Sequence, residues 1–267
     1  FMKYILLFLC ILNLSCKYNV SNPVMTLKDY TVGSGKVYYV SSSATIEEIE
    51  ESLRNNYHSL EKYKIVVTNG SDISTRILTN IAAVIKKGSF NNVEVDITKT
   101  KITEIPANIF KNMGNLESIA LPDTVKKIEK DAFSGCSLLS NIRFSGGLTD
   151  ILGGAFSGCS SLPLVMLSSK SLTNISTGAF SGCSSLVNLI LPANISNIDG
   201  SAFNNCSKLA NVEYLGTNKN VKGSPFASGS NPNNLYLPSM DGTTNKISSS
   251  FLGKSWATTN YGKHIPN

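Results

Sequence analysis

Six phenylalanines, Phe110, Phe133, Phe156, Phe180, Phe203 and Phe226, follow one another at intervals of 23, 23, 24, 23 and 23 residues. Five residues before each stands a branched aliphatic: Ile105, Ile128, Ile151, Ile175, Ile198 and Val221. Strand-like segments recur in phase, with Val95, Ile119, Ile142, Val165, Leu189, Val212 and Leu235 in one column. Leu116, Leu139, Leu162, Leu186 and Leu209 stand three positions before the corresponding members of that column. A chain with this periodicity is a stack of equivalent units. No single unit can bury its own apolar face, so neighbours must share one continuous core.

A unit of this length carrying an L-x-x-L-x-L strand lies in the window of leucine-rich repeats. Each short strand is expected to pair in parallel with its neighbours at about 4.8 Å. The turn and the Ala-Phe segment after it form the opposite wall, where Ala132, Ala155, Ala179 and Ala202 leave room for the neighbouring Phe. Two residues after the first five Phe come Asn112, Gly135, Gly158, Gly182 and Asn205. Gly and Asn adopt positive φ cheaply, which predicts a left-handed cap closing one helical turn. The fold class read from these columns is α/β, a right-handed leucine-rich-repeat solenoid (horseshoe) with a parallel concave sheet.

The units Ile128 … Ala132-Phe133-Ser134-Gly135-Cys136 … Leu139 and Ile175 … Gly178-Ala179-Phe180-Ser181-Gly182-Cys183 … Leu186 resemble BspA-like leucine-rich repeats. Such repeats occur on surface proteins of spirochaetes, Bacteroidetes and some mucosal protists. The resemblance covers residues 93–238 and implies adhesion or host interaction. It also implies that 239–267 is a C-terminal cap, in which Trp256 and Tyr261 cover the open end of the last repeat.

Residues 37–92 depart from the pattern. Val37–Val40 and Lys64–Val67 read as strands. Each precedes a helical pattern, about Thr45–Tyr57 with Thr45 and Glu48 as a capping box, and about Asp72–Lys87. Two α/β units that cap the N-terminal end of the solenoid are expected, with a separate small domain as the alternative.

Before them, Lys3 and the apolar run Tyr4–Leu12 read as a secretory signal peptide over residues 1–16, since nine residues cannot cross a bilayer core. The stretch Leu12-Asn13-Leu14-Ser15-Cys16 resembles the lipobox of bacterial lipoproteins, with Asn13 and Leu12 departing from the usual pattern in a way spirochaete lipoproteins tolerate. Cys16 is therefore the expected lipidation site, and residues 17–36 a flexible tether. The expected location is the outer membrane, on its surface or periplasmic side, with the lipid as the membrane contact. Soluble secretion, with Cys16 an ordinary residue, is the competing reading.

Chemistry is sparse. The two histidines, His58 and His264, lie in no hydrolase pattern, and neither an H-E-x-x-H nor a C-x-x-C pair occurs. No enzyme activity, cofactor or metal is expected. Cys136, Cys159, Cys183 and Cys206 recur at the repeat period, with Met113 in the same slot, and read as a buried ladder of thiols. The net charge is +6, but Lys and Arg never form a basic run, so no nucleic-acid partner is expected.

Function then falls to the surface. Strand residues flanking the buried column point outward. On that basis Leu164, Met166 and Ile190 form an exposed apolar patch on the concave face, widened by Val187 and bordered by Asn141, Arg143, Asn188 and Glu213. Such a patch marks a contact site. The expected partner is a protein, such as a host matrix or other cell-surface protein. The alternative is a periplasm-facing carrier or scaffold that holds a small hydrophobic ligand or peptide in a closed pocket over Met166.

Overall fold

A computed structural model of the chain describes residues 37–60, 62–68, 75–226, 228–244, 246–247 and 250–266. The expected signal peptide, the tether and Cys16 lie outside the described residues. Among those described, no helix is long and apolar enough to cross a membrane.

One wall of the molecule is built from short parallel strands: β1 (Tyr39–Val40), β2 (Lys64–Val67), β3 (Val93–Asp96), β5 (Leu116–Ala120) and β7 (Asn141–Arg143) in one sheet. A second sheet contains β9 (Leu164–Met166), β11 (Asn188–Leu191), β13 (Asn211–Tyr214), β14 (Asn234–Leu237) and β15 (Thr258–Tyr261). The expected column pairs residue by residue: Val95 with Ile119, Ile119 with Ile142, Val165 with Leu189, Leu189 with Val212 and Val212 with Leu235.

The two sheets part between β7 and β9, and Pro163 supplies the physical reason. At the equivalent position in other repeats a backbone N–H donates to the preceding repeat: Ser140 to Glu117, Val187 to Pro163, Ala210 to Val187 and Asn233 to Ala210, at 2.9–3.1 Å. Pro163 has no N–H to give, so the ladder is interrupted there.

The opposite wall holds a structure that the repeat columns did not announce. Glu104–Ile105 (β4), Lys127–Ile128 (β6), Asp150–Ile151 (β8), Asn174–Ile175 (β10) and Asn197–Ile198 (β12) form a third parallel sheet of two-residue strands. The aliphatic column before the first five Phe is thus a strand column in register. Beyond it the chain makes tight turns rather than the expected helical turn. Phe133 N–H, for example, donates to Ala155 of the next repeat at 2.7 Å, and Gly135 N–H to Ser157 at 2.7 Å. The Gly/Asn column does take positive φ, with Gly135, Gly158 and Gly182 all at 75°. At Gly135 a Cβ would stand 2.3 Å from Asn112 Oδ1, so stacking as well as φ selects glycine there.

Between the walls runs a single core. Phe110, Phe133, Phe156, Phe180 and Phe203 are fully buried, with successive ring centroids 5.0–5.3 Å apart and nearly parallel planes. At the C-terminal end Phe226 is tilted 34° from Phe203 and meets the edge of Trp256 at 5.8 Å. Trp256 in turn donates to the Phe251 carbonyl at 3.0 Å. At the N-terminal end α1 (Ile46–Leu60) begins with the expected capping box: Thr45 N–H donates to Glu48 at 2.8 Å, and Glu48 N–H to Thr45 Oγ1 at 3.3 Å. With α2 (Arg76–Lys86) it packs apolar residues, Ile49, Leu53, Ile77, Leu78 and Ile81 among them, into the core that the repeats share. β1 and β2 extend the same sheet as β3, so the N-terminal units and the repeats have no boundary in the hydrogen-bonded wall.

Candidate functional site

The outer face of the strand wall presents two columns on either side of the buried one. The first runs Leu164, Asn188, Asn211 and Asn234 in direct register. Its asparagines form an amide ladder: Asn211 Nδ2 donates to Asn188 Oδ1, and Asn234 Nδ2 to Asn211 Oδ1, each at 2.8 Å. Leu164 interrupts that polar ladder at the Pro163 seam and is 36% exposed, as is Val187 at 37%, whose N–H donates to the Pro163 carbonyl. Asn141 stands on the far side of the seam, exposed, paired in register with Ser118.

In the second column Met166 pairs with Ile190, Ile190 with Glu213, Glu213 with Tyr236 and Tyr236 with Asn260. Met166 is half-buried and lies two residues from Leu164, so both point to the same face. Two members of the expected patch require correction. Ile190 is only 6% exposed and Glu213 only 2%. The chain after β15 explains the Glu213 burial. Gly262 N–H donates to the Leu237 and Met240 carbonyls, turning the backbone back across β14. His264 Nδ1 then lies 2.5 Å from Glu213 Oε1, and Ile265 N–H donates to Glu213 Oε2 at 2.9 Å. A carboxylate held out of water needs such donors, and both come from residues 51 and 52 positions further along the chain. His264 and Ile265 were therefore missed as residues of the face. The local signal, a lone carboxylate among amides and apolar side chains, was present, but nothing near it in sequence identified its donors.

Arg143 also differs from its expected place at a free rim. Its guanidinium donates to both Asp123 carboxylate oxygens at 3.1 Å and to the Leu121 carbonyl at 2.5 Å, bracing the preceding repeat's turn. Asn188 is half-buried and committed to the amide ladder.

Among the described residues no cluster of His, Cys, Asp or Glu could hold a metal ion. The four repeat cysteines are buried free thiols. Cys136, Cys159, Cys183 and Cys206 each donate to the carbonyl of a Phe in the wall, Phe110, Phe133, Phe156 and Phe180, at 3.0–3.3 Å. Ser230 Oγ makes the same bond to Phe203. Burial pushes the Cys136 thiol up to about 12 and raises Cys159 as well, so both side chains stay protonated and inert. A depression of about 400 Å³ lies in the turns beside Ala193, Leu215 and Asn218, away from Leu164 and Met166.

Stacked strand, turn and Phe columns around one core define a leucine-rich-repeat solenoid. The chain belongs to the BspA type leucine-rich repeat family, whose sequence profile it matches over residues 66–169, 103–233 and 166–260. No curated protein matches it significantly. Among solved structures it is similar to a T. pallidum leucine-rich repeat protein, with 26% identity, 58% of this chain and 78% of that chain covered, and a TM-score of 0.44. A leucine-rich cell surface protein from Faecalibacterium prausnitzii is 32% identical over 48% of this chain and 33% of its own, with a TM-score of 0.45. The pneumococcal vaccine antigen PcpA is 16% identical over 66% of this chain and 42% of its own, also with a TM-score of 0.45.

Proposed function

We propose that the chain is a bacterial cell-surface lipoprotein, anchored through Cys16, that binds a protein ligand on the outer face of its strand wall. The observation that carries this reading is the exposure of Leu164 and Val187 at the Pro163 seam, with Met166 half-buried on the strand of Leu164, on a face whose neighbouring positions are filled by a polar amide ladder. Apolar side chains left in water at one point of such a face favour a contact that buries them, at roughly 25 cal/mol per Å². Open geometry suits a protein ligand better than a small hydrophobic molecule, since the depression in the turns does not reach Met166. Leu164, Met166 and Val187 are the central contacts, and Asn141 and Asn188 border them. The BspA-like resemblance points to adhesion, with host matrix proteins as the class to test.

The test uses the full chain against a panel of immobilised extracellular-matrix proteins. Saturable binding by the wild type and its loss in Met166→Lys, with an unchanged melting temperature, is the expected result. Undiminished binding by a folded Met166→Lys protein would move the contact to another surface.

A further inference from the structure

Glu213 is an unusual residue to find buried on the outward side of a sheet. In register it sits between Ile190, itself buried, and Tyr236, in a column whose Arg143, Met166 and Tyr236 are half-buried. Both of its hydrogen-bond donors among the described residues belong to the segment after β15: the His264 ring and the Ile265 backbone. That segment behaves as an extended peptide lying across strands. It crosses from β15 past β14 to β13 and supplies a side-chain donor and a backbone N–H to one carboxylate.

We infer that the segment around His264 and Ile265 is an intramolecular occupant of the binding face, and that the external partner is an extended polypeptide that replaces it. This inference rests on the outer-face reading above and specifies the chemistry of its partner. A displacing segment must supply Glu213 with donors again, because the carboxylate would otherwise lose both bonds. A cationic side chain next to a free backbone N–H does so best, since charge-assisted hydrogen bonds are about twice as strong as neutral ones. Beyond Glu213 the same column continues to Ile190 and then to Met166, which shares its strand with the exposed Leu164. Two strand spacings separate Glu213 from Met166, about 10 Å, which an extended chain covers in about three residues. Running in the direction of the intramolecular segment, the partner therefore carries a cationic residue followed about three positions later by a large apolar one. Its charge meets Glu213 and its apolar side chain meets Met166 and Leu164.

Short fluorescein-labelled peptides with arginine, two small residues and leucine test the inference by fluorescence anisotropy. A control peptide carries glutamate in place of the arginine. The full chain is compared with a His264→Ala, Ile265→Pro double variant, in which the ring donor and the N–H are both lost. Matching melting curves verify folding, and His264→Ala alone, altering a half-exposed ring, serves if the double variant is unstable. The arginine peptide is expected to bind the double variant about tenfold more tightly than wild type, equivalent to about 1.4 kcal/mol. The glutamate peptide should gain nothing, and adding Glu213→Gln should abolish the gain. Equal affinity for wild type and double variant, or equal affinity of the two peptides, overturns the inference. If matrix-protein binding still depends on Met166 in that case, the outer-face reading stands without the intramolecular occupant. If Met166→Lys leaves both kinds of binding intact, both readings fall.

Discussion

Replacing Phe156 by alanine tests the stacked core at its most connected point. The ring is fully buried between Phe133 at 5.0 Å and Phe180 at 5.1 Å, and Phe144 meets it edge-on at 5.5 Å. Burial of a phenylalanine side chain contributes about 1.5–3 kcal/mol. Each lost ring pair adds about 0.5–1.5 kcal/mol, and three are lost here. Partial relaxation of the wall around the cavity recovers some of that, which leaves a cost of about 5 kcal/mol, the upper end of the range for buried aromatics. For a chain of this size such a loss lowers the melting temperature by about 10–20 °C. Phe226 is half-buried and tilted at the end of the stack, with two ring partners at 6.0 and 5.8 Å. Its alanine variant should cost about half as much. Urea denaturation followed by circular dichroism measures both, with calorimetry to show whether unfolding stays cooperative along the stack. Equal losses at the two positions would refute a core whose energy is concentrated in stacked central rings.

Ile190→Asp should unfold the protein rather than merely weaken binding, because it places a carboxylate in a buried position beside Glu213, at a cost of about 3–5 kcal/mol; a variant that melts like wild type would show that the position opens to water. Alkaline pH should destabilise the fold through its thiols. Burial holds Cys136 protonated up to about 12, against an ordinary value near 9, so the unfolded state releases a proton that the folded state keeps. Stability contributed by that thiol is therefore whole below about pH 9 and falls by about 1.4 kcal/mol per unit as pH rises towards 12. Urea midpoints across that range should show a shallower decline in Cys136→Ala. Mass spectrometry of the mature N-terminus should find an acylated Cys16, and a different, unmodified terminus would exclude the anchor.

The repeat makes much of the architecture legible in the sequence alone. Each unit sends the same position to the same layer, so a column such as Val95, Ile119 and Ile142 is both a sequence periodicity and a line of register. The third sheet was hidden because strands of two residues, such as Lys127–Ile128, are too short to show alternation. The roles of the thiols were half visible. Their spacing placed them in the core, but a bond from Cys159 to the Phe133 carbonyl needs the path of the neighbouring repeat to be known. At Pro163 the signal was in plain view, a residue without an N–H in a hydrogen-bonded column.

The candidate face shows where periodic reasoning ends. Register within the strands follows from local pattern, and it placed Met166 opposite Ile190. Exposure does not follow from register, because it depends on whatever else crosses the face. Met166 and Glu213 occupy the same column, yet one is half-buried and the other buried, with its carboxylate bonded by a segment about 50 residues away in sequence. A solenoid's repeats contact their immediate neighbours. Contacts that leap several strands therefore come from segments outside the repeat, here the chain beyond β15. Such a segment lies over the surface that the repeats would otherwise offer to a partner. The part of the molecule least determined by the repeat thus bears most directly on how much of the face is open to a ligand.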